Sequence, residues 1–216
     1  MTRALRTMAT GVLALALGCG AINTVRTKAP DPAVNEGEWA ALRNKATRRA
    51  VLYDEFRYRA TITATYLSPQ VREARARRLG AWQGWTDKEL ADRLAEEARE
   101  AAKFDDFTVA LFTADRSAND LDAKSSVWHL ALRLEDGSEL LTHDAEVLDP
   151  NATVRNLFPY VSPFDVVYRV RFNRGPGASL GGRLFTFEVA SALGKAELHY
   201  GDGAIGPDLP DGERIP

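Results

Sequence analysis

The order of hydrophobic and polar positions changes from helical to strand-like near the start of the body of the chain. Asn35 is placed to cap a helix that carries Trp39, Leu42 and Ala46. Across residues 56–66, aromatic and aliphatic side chains then alternate with arginine and threonine. Such alternation is typical of a strand with one buried and one solvated face, so we expect a long strand here.

Two helices are expected next, forming a helical hairpin over about residues 69–103. Ser68 and Pro69 end the strand and provide a helix start, because proline suits the first helical position. Thr86 and Glu89 have the spacing of a capping box for the second helix. The first helix is rich in arginine and the second in carboxylates, which predicts pairing by charge as well as by apolar stripes.

The rest of the chain has a strand-like pattern with short turns. Asp136 and Gly137 form a typical hairpin turn. Alternating segments occur over residues 107–111, 128–134, 139–141, 166–172, 185–189 and 196–200. We therefore expect an α+β fold, a mostly antiparallel sheet or sandwich of six to seven strands with an inserted helical hairpin. A parallel doubly wound sheet is disfavoured because crossover helices do not alternate with these strands.

The ends of the chain differ in composition from its body. Residues 19–35 contain two prolines and little aliphatic bulk, which indicates a flexible tether. Residues 201–216 contain four glycines and three prolines, and we expect a disordered tail. The body, residues 36–200, is long enough for one domain with a substantial core.

The first eighteen residues have the layout of an export signal, with two arginines followed by an apolar run. That run of about ten residues is too short to span a bilayer. Small residues end at Gly18, immediately before Cys19, and this junction resembles the bacterial lipobox. The resemblance implies cleavage between Gly18 and Cys19, followed by acylation of Cys19 with palmitate-like chains. It predicts a lipoprotein anchored in the bilayer of the cell envelope. Gly20, rather than an acidic residue, then favours the outer membrane, with the body facing the periplasm.

Overall charge and cysteine content exclude several classes of function. The 216 residues contain 28 basic and 30 acidic side chains, a balance that disfavours a general nucleic-acid binder. One cysteine rules out an internal disulfide framework and any site with several cysteine ligands. The three histidines are not at metal-ligand spacing, so we expect no metal and no cofactor.

Candidate chemistry is sparse, which favours a non-enzymatic binding or structural module for another envelope component, a protein or a glycan. An alternative is a small hydrolase or transferase with His129 beside Asp144 or Glu146. His143 next to Asp144 forms a second polar pair that could bind a ligand. No catalytic residue stands out from its context.

Two further segments bear on function. The glycine-rich stretch 175–182 lacks the lysine of a P-loop and is expected to be a flexible hairpin loop. A third functional hypothesis makes the helical hairpin a docking surface for a partner, centred on Trp85.

Overall fold

The computed structural model describes residues 36–174 and 180–201. The predicted leader, Gly18, Cys19 and the tether lie outside the described residues, as do residues 175–179 and nearly all of the predicted tail. The four α-helices are α1 (Glu36–Ala46), α2 (Pro69–Gln83), α3 (Asp87–Lys103) and α4 (Ala152–Leu157). The eight strands are β1 (Thr47–Asp54), β2 (Arg57–Tyr66), β3 (Phe104–Thr113), β4 (His129–Leu134), β5 (Glu139–Leu148), β6 (Val166–Asn173), β7 (Phe185–Ser191) and β8 (Gly194–Tyr200).

The strands form one antiparallel sheet in the order β1-β2-β3-β6-β5-β4-β7-β8. This confirms the α+β class with a dominant antiparallel sheet, but the count of six to seven strands was too low. The missed strand is β1. It lies at the edge of the sheet and buries Arg48 as well as Leu52, so its inward positions are not uniformly apolar.

The sheet curls until its two edge strands lie side by side, nearly closing a barrel. Arg48 of β1 donates from Nε to the carbonyl oxygen of His199 in β8, at 2.7 Å. A Cβ added at Gly194 of β8 would lie 3.5 Å from Leu52 of β1. Among the described residues, no ladder of paired residues joins these two strands.

Side chains fill the interior of the curled sheet, as expected for about eight strands. Phe107, Phe172 and Phe187 are fully buried there and contact one another through their rings. The centroids of Phe107 and Phe187 are 4.8 Å apart. This aromatic cluster fixes the distance between β3, β6 and β7, three strands that the chain brings together from far apart in sequence.

A second apolar cluster lies outside the sheet, where the helices cover β2, β3 and β6. It joins Trp39 of α1, Val71 of α2 and Phe158, which follows α4, to Ala110 of β3 and Val167 of β6. Trp39 and Phe158 meet edge to face, with ring centroids 6.0 Å apart. The helices are therefore held on one side of the barrel, whereas on the outer face of β4 the side chains of His129 and Arg133 are exposed.

Helices α2 and α3 form the expected helical hairpin. The side chain of Ser68 accepts a hydrogen bond from the amide of Val71, and both bonds of the Thr86–Glu89 capping box are present. The expected charge pairing is also observed, since Arg75 of α2 lies 2.9 Å from Glu97 of α3.

Two local predictions were wrong. Phe56 lies in the turn before β2 and is 99% exposed, so the inward alternation begins later than expected. The glycine-rich stretch does not connect a hairpin, because β5 and β4 separate β6 from β7 in the sheet. Of that stretch, Leu180 is buried in the interior cluster at one end of the barrel.

Candidate functional site

A cavity of about 590 Å³ lies at the end of the barrel where β2 and β8 finish. We call it the barrel-end cavity. The last turn of α1, the start of β1 and the first turn of α2 form its sides, and residues 180–182 lie across it. Its volume is within the range of about 300–1,000 Å³ typical of small-molecule sites.

Three aromatic residues form the floor of the barrel-end cavity. The rings of Phe185 and Tyr200 are stacked with centroids 5.1 Å apart, and Tyr66 meets Phe185 edge to face at 5.2 Å. The Tyr200 hydroxyl donates to the carbonyl oxygen of Ala64, and the Tyr66 hydroxyl donates to Asp105. Because their polar ends are held in this way, the rings present rigid apolar faces to the cavity.

Tyr200 does not act as a titrating group in the neutral range. Burial raises its pKa well above the usual value, although Arg48 opposes this shift. The phenol is therefore a fixed neutral donor, and its role at the cavity is to provide an apolar surface and to support Arg48.

Arg48 provides a buried cation at the edge of this floor. Its guanidinium carbon lies 5.3 Å from the centroid of the Tyr200 ring. Nε donates to the carbonyl of His199, and Nη1 donates to the carbonyls of Lys45 and Thr47 at 2.7 and 2.9 Å. These bonds fix the guanidinium plane, and they leave Nη2 without a hydrogen bond to any described residue.

The charged side chains in the described lining of the barrel-end cavity are both cationic. Among its described lining residues, Lys45 and Arg48 are cationic and none is acidic. The N-terminal turn of the fifteen-residue helix α2, Ser68 to Val71, also faces the cavity, and a helix N-terminus carries partial positive charge. The described lining includes neither histidine nor carboxylate, so these residues offer shape and charge but no acid–base pair.

His129, the centre of the enzymatic alternative, lies on the open outer face of β4 with 56% of its side chain exposed. The carboxylate beside it is that of Glu139 rather than Asp144 or Glu146, with Oε1 3.6 Å from Nε2, which is longer than a hydrogen bond. Glu139 also pairs with Arg133 at 3.2 Å. Glu146 pairs instead with Arg169, at 2.7 Å.

His143 and Asp144 lie on β5, next to β6. The His143 ring stacks on Phe104 with centroids 5.3 Å apart, and its Nδ1 lies 3.2 Å from the side-chain amide of Asn173. Asp144 is exposed and faces Arg171 across the two strands. The structure thus places the predicted polar pair on the barrel surface, away from the barrel-end cavity.

Trp85, at the turn of the helical hairpin, is half-buried. A Cβ added at Gly80 would lie 3.0 Å from the Trp85 ring and 3.5 Å from Leu90, so the hairpin uses both side chains for its own packing. The large hydrophobic side chains that are exposed in the described part of the chain all lie outside the hairpin.

The barrel-end cavity was not predicted, because its parts come from distant positions in the sequence. Arg48 and His199 are 151 residues apart. One local signal for β1 was present in the sequence, because inward positions alternate with outward ones at Arg48, Ala50 and Leu52. The arginine among the inward positions breaks the apolar pattern by which a strand is predicted.

In the ranges 36–174 and 180–201, no helix has the length and apolar character needed to cross a membrane. Neither a protein-family model, nor a curated protein, nor a solved structure matches this chain.

Proposed function

We propose that this protein is a lipoprotein of the bacterial cell envelope, anchored through acylated Cys19, and that its body is a binding module for a small ligand. The observation that carries the binding role is the barrel-end cavity, with its aromatic floor and buried Arg48. The lipobox-like junction at Gly18 and Cys19 supports the anchor. By the same resemblance, the body faces the periplasm from the outer membrane.

Binding is favoured over catalysis by the chemistry of the cavity lining. An apolar pocket with a few fixed polar groups is typical of a binding site. General acid–base catalysis requires a titratable group close to the reacting atoms, and the titratable side chains of the described lining are only Lys45, Arg48 and the two tyrosines. The His129 region lies on an open face of the barrel.

The anchor is tested by growing cells with an alkyne analogue of palmitate and comparing the wild-type protein with Cys19→Ala. We expect the label in the wild type and its loss in the variant, because Cys19 is the only cysteine in the sequence. Equal labelling of the two proteins would show that the lipid is not on this thiol.

The binding role is tested with the mature protein and a neutral fluorescent probe, N-phenyl-1-naphthylamine. We expect saturable binding, and loss of that binding in Ala46→Phe, which places a ring in the cavity. Ala95→Phe is the matched control, because Ala95 is exposed on α3 outside the cavity lining. Thermal unfolding checks that both variants are folded. Absence of saturable binding by the wild type would refute the binding role.

A further inference from the structure

We infer that the ligand of the barrel-end cavity is an anionic amphiphile, an apolar chain or ring carrying one carboxylate or phosphate that pairs with Arg48. This inference rests on the binding role proposed above and adds the chemical class of the ligand. The observations that support it are the burial and the hydrogen bonds of the Arg48 side chain.

The charge of Arg48 has no counter-ion among the described residues. Arg48 is only 8% exposed, and its hydrogen bonds go to backbone carbonyl oxygens. Buried Arg72, by comparison, pairs with two carboxylates, those of Glu97 and Asp106. A buried guanidinium without a carboxylate is costly in free energy, and an anion bound beside it offsets that cost.

The geometry leaves one donor group of Arg48 for such an anion. Nε and Nη1 are engaged with carbonyl oxygens, whereas Nη2 makes no hydrogen bond to a described residue. Because the bonds at Nε and Nη1 fix the plane of the guanidinium, an anion would meet a donor that is already oriented. The first turn of α2 reinforces the preference for negative charge.

The remaining surface of the cavity favours a ligand with an apolar chain or ring. The rings of Tyr66, Phe185 and Tyr200 form the floor, and Leu42 and Leu180 contribute aliphatic surface. A small inorganic anion would leave this surface exposed to water. A cationic amphiphile would meet the buried charge of Arg48. A single-headed anionic amphiphile satisfies both the apolar and the charged parts of the site.

The first test is displacement of N-phenyl-1-naphthylamine from the mature wild-type protein by four twelve-carbon compounds, each used below its micelle concentration. These are dodecanoate, dodecyl phosphate, dodecanol and dodecyltrimethylammonium. We expect at least one of the two anions to bind about tenfold or more tightly than dodecanol, because only the anions pair with Arg48. The cation should bind most weakly. Whichever anion binds more tightly identifies the headgroup as carboxylate or phosphate.

The outcomes separate this inference from the proposed function. If dodecanol binds as tightly as both anions, the cavity binds apolar molecules without distinguishing the charge of the headgroup. The inference about the ligand class is then wrong, while the proposed binding role stands. If the probe itself does not bind, the binding role fails.

The second test uses Arg48→Gln, with Arg57→Gln as the matched control. Arg57 carries the same charge and is exposed at the far end of β2 from the cavity. We expect Arg48→Gln to remove most of the advantage of the anion over dodecanol, measured as the ratio of the two affinities in the same variant. Arg57→Gln should keep the full advantage. An unaltered preference in folded Arg48→Gln would contradict the inference. If this variant does not fold, the wild-type displacement series alone decides.

Discussion

Arg72 and Asp106 form an ion pair with 2.6 Å between Nη2 and Oδ2, and their side chains are 4% and 1% exposed. The pair joins the first turn of α2 to β3. Arg72 also reaches Glu97 of α3 at 3.1 Å, so one guanidinium connects both helices of the hairpin to the sheet. Burial alone would raise the pKa of Glu97, but Arg75, Arg93 and Arg72 together outweigh this effect and hold its pKa below the usual value.

Replacing Arg72 by Met should destabilise the protein by about 3 kcal/mol, because buried carboxylates lose their partner. The matched control is Arg77→Met on the same helix. Arg77 pairs with Glu73 at the surface, and its loss should cost less than about 1 kcal/mol. Urea unfolding of both variants measures the difference. Equal losses would show that the buried network does not hold the hairpin to the sheet.

Glu188 should make the stability depend on pH in the acid range. Hydrogen bonds from Arg133 and Lys195 lower its pKa from 4.5 to about 2. A lowered pKa stabilises the folded state above the pKa of the unfolded chain, and this contribution is lost as the pH falls from about 4.5 toward 2. At about 1.4 kcal/mol per pKa unit, the contribution is on the order of 3 kcal/mol.

We therefore expect Glu188→Gln to be less stable than the wild type at pH 7 and to show a shallower loss of stability between pH 5 and pH 2. Glu135→Gln, at an exposed position in the β4–β5 turn, is the control and should follow the wild-type curve. The readout is the free energy of unfolding in urea across this pH range. Parallel curves for Glu188→Gln and the wild type would contradict the prediction.

Gly201 should not tolerate a side chain. Its φ is +116°, and an added Cβ would lie 2.6 Å from the carbonyl oxygen of Arg183. Gly137 also has a positive φ, +79°, but an added Cβ there meets nothing within 4 Å. We expect Gly137→Ala to cost about 1 kcal/mol and Gly201→Ala at least about 2 kcal/mol more. Thermal unfolding compares the two, and similar melting temperatures would refute the steric argument.

Thr86→Ala should weaken the start of α3. The amide of Thr86 donates to Glu89 at 2.8 Å, and the Thr86 hydroxyl accepts from the Glu89 amide. Removing the hydroxyl should cost about 1 kcal/mol, whereas Thr86→Ser keeps the cap and should cost only a few tenths. Hydrogen exchange of the first turn of α3 provides the local measurement. Unchanged protection in Thr86→Ala would count against a stabilising cap.

The sequence predicted best where structure depends on near neighbours. The helix start at Pro69 and the capping box at Thr86 each depend on residues at most three positions apart, and both are present. The strand ending at Tyr66 was found because its inward residues, Ala60, Ile62 and Ala64, are all fully buried in the core. In these segments the pattern of apolar and polar residues matches the burial of the same residues in the folded protein.

The sequence predicted strand boundaries poorly where a strand has no face of fully buried side chains. Strand β5 extends to Leu148, well beyond the expected residues 139–141, although most of its side chains remain exposed or half-buried. Its length is set by pairing with β6, for example Val147 with Tyr168. The barrel-end cavity was missed for a related reason, since it exists only after β1 and β8 have met.

Among the described residues, β1 and β8 lie side by side without a ladder of main-chain hydrogen bonds, so these two strands can separate without breaking one. Arg48 joins the two strands through its bond to the His199 carbonyl, at the rim of the cavity. A ligand bound to Arg48 of β1 would also contact Tyr200 of β8, which lines the same cavity. We expect ligand binding to hold β1 and β8 together and ligand release to let them separate more readily. Protection of the amides of β1 and β8 from hydrogen exchange would therefore report whether the cavity is occupied.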